Sequence, residues 1–162
     1  MKKFNSAFMF LLWLTTAVMA QPEARVYDSI GKQADLIFSG TVARQNCFLQ
    51  SDSMLVTETI FNDIEFVKSL NPSRSGNDPE LSIMHAGGVL NGKIIINPDI
   101  PDLAVGKRYF VFVKDDGAFH SNPFPGGCKA VIEISRDSLT GGESLSPVSS
   151  CQPVALAPSG GL

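Results

Sequence analysis

Beyond residue 20 the chain has no apolar run long enough to cross a bilayer and no cluster of Lys or Arg. It holds only two histidines and three cysteines. Each scarcity excludes something. A spanning helix needs roughly twenty consecutive apolar residues, so no membrane span is expected after that point. Phosphate backbones are held by clustered cations. With Lys2 and Lys3 set aside, 11 basic residues face 16 acidic ones, a net charge of −5. Nucleic acid is therefore not an expected partner. His85 and His120 lie far apart, and neither belongs to HExxH or another close ligand pair, the spacing by which zinc sites are recognised in sequence. No G-x-S-x-G elbow is present, which removes the usual strand-turn-helix serine nucleophile. Asp99, Asp102, Asp115 and Asp116 fall in turn-forming stretches, where Asp accepts bonds from nearby backbone amides. The expectation is a chain with no catalytic residues, no metal and no cofactor.

What is present begins with MKKFNSAFMFLLWLTTAVMA, a short basic start, an apolar segment and a Val18-Met19-Ala20 ending. This three-part order is that of a secretory signal peptide over residues 1–20. The mature chain then starts at Gln21 and has 142 residues, the size of one domain. It is exported, to the periplasm or the medium. Such compartments favour disulfides. Cys47, Cys128 and Cys151 make an odd set, allowing one bridge and one leftover thiol, or none. Cys128 and Cys151 are the pair favoured for a staple, since they are close in sequence. That loop would contribute about 3 kcal/mol in the chain-entropy model.

Helical character is confined to the stretch after the leader, a lead-in over 21–33. From 34 to 156 the texture is that of strands with short connections. DLIFSGTVAR (35–44) reads as a buried strand. SMLVTETIFNDIEFV (53–67) alternates with period two, the pattern of a half-buried strand. Its apolar face is read as Met54, Val56, Ile60, Ile64 and Phe66, with a bend or bulge near Asn62. Residues 69–80 are loop, rich in Pro, Gly, Asn and Ser. ELSIMHA (80–86), KIIIN (93–97), KRYFVFVK (107–114) and KAVIEIS (129–135) read as further strands. One more is expected within 143–156, and 157–162 as a flexible tail. No internal repeat is visible. Six or seven antiparallel strands at this spacing predict an all-β domain, a small barrel or sandwich.

One motif invites a different chemistry. GGVLNGKI (87–94) matches the first seven positions of a phosphate-binding loop. That loop needs a Ser or Thr after the lysine and a helix starting there. Here Ile94, Ile95 and Ile96 follow, and β-branched residues favour a strand. Asn91-Gly92 is the preferred pair for a two-residue hairpin turn. Gly87-Gly88 suits a bulge or second bend.

The order ADLIFSGTV, FVKS, AGGVLNG, PDLAVGKRYFVFV, PGGCKAVIEI resembles a family of bacterial secreted β-barrel domains of OB-like or netrin-like type. Such domains are found alone or ahead of matrixin-type metalloprotease domains. The resemblance covers about residues 34–135, and Gly40, Gly87, Gly88, Gly106 and Tyr109–Val113 match its pattern. These are turn and core positions, so the resemblance implies a fold and no catalytic residue. Lys107 stands where these domains often carry an acid, and the 69–80 loop lacks the usual KG ending. No HExxHxxGxxH follows, so the chain is not itself a matrixin protease. Metalloprotease inhibitors on netrin-like barrels chelate zinc through an N-terminal cysteine. Gln21 at the expected mature terminus argues against that mechanism.

These readings lead to a non-enzymatic exported β-barrel module that binds a protein or a cell-envelope component through loops 69–80 and 118–128. The second reading is an accessory, pro-domain or inhibitor-like module of a secreted metallopeptidase system. The third is a small thiol-dependent hydrolase using Cys128 and His120, which requires a free thiol at Cys128.

Overall fold

The computed structural model describes residues 22–51, 54–70, 79–116 and 118–148. The segments read as signal peptide and tail, the centre of the 69–80 loop and Cys151 lie outside the described residues. Helix α1 spans Pro22–Gln33. Its last carbonyls meet a cation, since Lys68 Nζ donates to the carbonyls of Gly31, at 3.1 Å, and Ala34. A lysine there satisfies orphan acceptors and complements the negative end of the helix dipole.

The strands are β1 (Leu36–Ser51), β2 (Met54–Ser69), β3 (Leu81–Ala86), β4 (Gly88–Leu90), β5 (Lys93–Ile95), β6 (Arg108–Val113), β7 (Val131–Arg136) and β8 (Glu143–Pro147). Six of them form one antiparallel sheet in the order β3-β2-β1-β6-β7-β8, and β4 and β5 form a separate hairpin. The run β6-β1-β2-β3 is a Greek key, in which the fourth strand returns to lie beside the first. All-β and antiparallel thus describe the chain. Closure into a barrel is absent among the described residues, because β3 and β8 are edges. The physical reason lies after β6. Residues 114–116 and 118–130 run as coil and a 3₁₀ turn, Gly127–Ala130, so no described strand of this connection pairs with β3.

β1 and β2 make a long hairpin whose halves have different neighbours. Residues 36–41 of β1 pair with β6, and residues 56–61 of β2 pair with β3. Four register shifts interrupt the β1–β2 ladder, and bulges bend and twist strands. One of them lies between the pairs Ser39–Glu65 and Thr41–Asn62, where Asp63 has φ 50°. It corrects the single apolar face expected for β2. Before the bulge, Phe61 pairs beside Val42 and is fully buried; after it, Ile64 and Phe66 point to the same core. Phe61 and Phe66 are an odd and an even position sharing one side, because the bulge changes the parity.

The core gathers Ile30 of α1 and Ala34 just after it, Leu36, Phe38 and Val42 of β1, Phe61, Leu81 and Ile83, Tyr109, Val111 and Val113, and Phe124 and Val131. Phe38 and Phe61 meet edge to face, centroids 5.1 Å apart, the favoured arrangement for two aromatic rings. Gly40 sits over this pair: a Cβ there would stand 3.4 Å from both side chains and 3.3 Å from the Asn62 carbonyl oxygen. Lys107 is answered by Glu133, whose carboxylate its Nζ meets at 2.9 and 3.0 Å.

Candidate binding surface

The GGVLNGKI stretch forms the β4–β5 hairpin. Leu90 pairs with Lys93, and Asn91 and Gly92 turn between them with φ 50° and 79°. Gly87, Gly88 and Gly106 also have positive φ. Gly88 is the demanding position. A Cβ there would lie 2.3 Å from Thr57 Oγ1 and 2.6 Å from Cys47 Sγ, so the strand crosses the β1–β2 hairpin at a distance only glycine allows. Thr57 Oγ1 donates to the Gly87 carbonyl at 2.7 Å. Cys47 is a free, half-buried thiol at this crossing. Cys128 is not a free thiol, and its expected partner Cys151 lies outside the described residues.

A concavity lies on the other side of β3. A cleft of about 290 Å³ is lined by Ser82, Ile83 and Met84 on one wall. The facing wall is Val113–Asp115, Ala118–His120 and Pro123. The second wall is held in place by backbone bonds. The Ala86 N–H donates to the Ser121 carbonyl at 2.9 Å and the Lys114 N–H to the Pro123 carbonyl at 2.8 Å. Asn122 Oδ1 accepts from the Phe124 N–H at 2.9 Å, an Asx turn that reverses the chain. Phe124 is then buried, beside His85 at 6.3 Å between ring centroids. The loop is therefore a preformed wall.

At the rim, Asp116 Oδ1 accepts from His120 Nε2 at 2.8 Å and from the Ala118 N–H at 3.1 Å. The imidazole hydrogen bond, then the amide, hold the Asp116 carboxyl below its ordinary range. Met84 and Phe119 are partly exposed, by 46% and 38%. They give the rim the apolar, deformable character common at recognition surfaces. Behind the cleft, His85 is buried. Its Nδ1 donates to the Ala86 carbonyl at 3.3 Å, and desolvation pushes its pKa down.

Of the residues singled out in the sequence, this brings His120 to the cleft, while Gly87, Gly88, Asn91 and Gly92 belong to the β4–β5 side. Residues 118–123 of the expected contact loop form a wall; residues 71–78 of the other loop lie outside the described residues. Sequence reading missed Ser82 and Met84, while Phe119 falls within the expected contact loop 118–128. Nothing in the sequence marked Ser82 and Met84, since 80–86 reads only as a strand. Among the described residues no group of three or more His, Cys, Asp or Glu is placed to hold a metal ion. No described helix is long and apolar enough to cross a membrane. No family model, curated protein or solved structure matches the chain.

Proposed function

We propose that the chain is an exported, non-enzymatic binding module, and that the cleft between β3 and residues 113–123 is its contact surface for a protein or cell-envelope partner. The observation that carries this reading is the preformed second wall: a loop bonded through Ser121 to β3 and through Pro123 to Lys114, beside a concave surface with exposed Met84 and Phe119. Anchored loops that frame concave, partly apolar surfaces bind with little ordering cost. The test is retention of the mature protein on cell-envelope fractions. Met84→Asp with Phe119→Asp should reduce retention at least tenfold with unchanged thermal stability, while Val105→Asp, at an exposed position away from the cleft, should not. Equal retention of all three proteins would remove the cleft from the reading.

The Greek-key order and the bulged, two-partner strands support an OB-like or netrin-like relationship, a partly open five-stranded barrel by type. On that relationship rests the second proposal, an accessory or inhibitor-like role in a secreted metallopeptidase system. Slower cleavage of a peptide substrate by a co-secreted metalloprotease is its readout. A thiol hydrolase at Cys128 and His120 has less support, since Cys128 is engaged and His120 is held by Asp116.

A further inference from the structure

In an antiparallel ladder alternate residues turn their N–H and C=O groups toward the partner strand and away from it. The Ala86 N–H points away from β2, because it donates to Ser121. The Gly87 N–H points the other way, to the Leu55 carbonyl of β2 at 2.8 Å. Counting back by twos, Ser82 and Met84 share the orientation of Ala86. Their backbone groups therefore face the cleft, and no hydrogen bond among the described residues occupies them. Both residues line the cleft.

We infer that the cleft takes an extended peptide segment of a partner protein as an added strand on β3. This rests on the proposed binding role and names its occupant. Three observations carry it. The edge is already used for pairing: Ser121 supplies one rung at Ala86 and the loop then turns away, leaving the next two rungs open. The cleft continues past the edge to Ile83 and Val113, which are core side chains, so an apolar side chain of the added strand has a seat. The loop 118–123 stands opposite, which leaves place for a single chain; a second copy pairing through its own β3 would bring its own loop into the same space. Asp115 and Lys114 line the cleft, and Asp116 stands beside it, bonded to the lining His120, in a chain with 16 acidic and 13 basic residues. A neutral or basic segment fits this rim better than an acidic one. Main-chain bonds then give affinity and the apolar seat gives selectivity, as in other strand additions.

The probe is a panel of acetylated heptapeptides with alternating apolar and Thr or Lys positions, titrated onto the mature protein with amide chemical shifts and hydrogen exchange as readouts. The expected result is saturable binding, with shifts at 82–86 and 113–123 and slowed exchange of the Met84 amide. Methylating alternate backbone nitrogens of the best peptide should weaken it at least tenfold. Met84→Pro should do the same, because that N–H faces outward and its loss leaves the β2 ladder intact. Ile94→Lys, on the β4–β5 hairpin, should bind within about twofold of the parent protein. Equal binding by the methylated peptide, or shifts confined to the β4–β5 hairpin, would overturn strand addition. If Met84→Pro does not fold, the methylated peptide on the parent protein decides. No peptide binding, together with cleft-dependent retention on envelope fractions, would overturn strand addition and leave the binding module standing.

Discussion

At the scale of single residues, close approach and burial make the sharpest demands. Gly88→Ala puts a side chain on a backbone with φ 136° and 2.3 Å from Thr57 Oγ1. Backbone strain alone costs about 1–3 kcal/mol, so thermal denaturation should show a large loss. Gly92→Ala has positive φ but open space around it and should lose only about 1 kcal/mol. His85 gives a pH dependence. Its folded pKa is depressed by desolvation, so its neutral form carries no penalty above the unfolded value of about 6.5. As pH falls below that, the unfolded state takes up the proton first, and stability drops toward the folded pKa. The urea midpoint of the parent protein should therefore fall between pH 7 and pH 5. His85→Leu should fall less across that interval; parallel curves would mean that His85 does not set the slope.

At the scale of elements, what the sequence tells depends on how far a pattern is set locally. The strand at 107–114 is legible because consecutive apolar, β-branched and aromatic residues bury both faces. The helix is legible as a stretch apart from the strand texture. β1 runs on past Arg44, where 35–44 was the expected span. Its distal half, Gln45–Ser51, is largely exposed, Phe48 and Leu49 included, and it is extended because β2 pairs with it. No local propensity announces that. The bend near Asn62 in β2 is legible from strand length, but its effect on parity is not, so the expected face joins Val56 and Ile60 to Ile64 and Phe66, whereas Ile64 and Phe66 share their core with Phe61. The cleft was illegible for a related reason: an edge is defined by the strand that does not pair with it, and that is a fact of topology. The helix terminus offers an element-scale test. Lys68→Met keeps the aliphatic stem and removes the donor to the carbonyls of Gly31 in α1 and of Ala34 just after it. It should cost about 1 kcal/mol, read as faster amide exchange in α1 than in β6.

At the scale of the molecule, one core joins α1, the sheet and the loop after β6, so cleft and fold are coupled. Phe124 and Val113 belong to that core, while Pro123 and Val113 line the cleft. Phe38→Ala should cost about 3–5 kcal/mol and loosen both together; a variant that keeps its stability would mean that the Phe38–Phe61 contact does not organise the core. The central claim is that the β3-side cleft meets the partner. Photo-crosslinking in cells exporting the protein tests it most directly, with a benzophenone amino acid placed in turn at Met84, Phe119, Val105 and Leu139, four exposed positions. The account predicts one discrete adduct from Met84 and Phe119 and none from Val105 or Leu139. The same adduct from all four positions, or adducts only from the two outside the cleft, would contradict it.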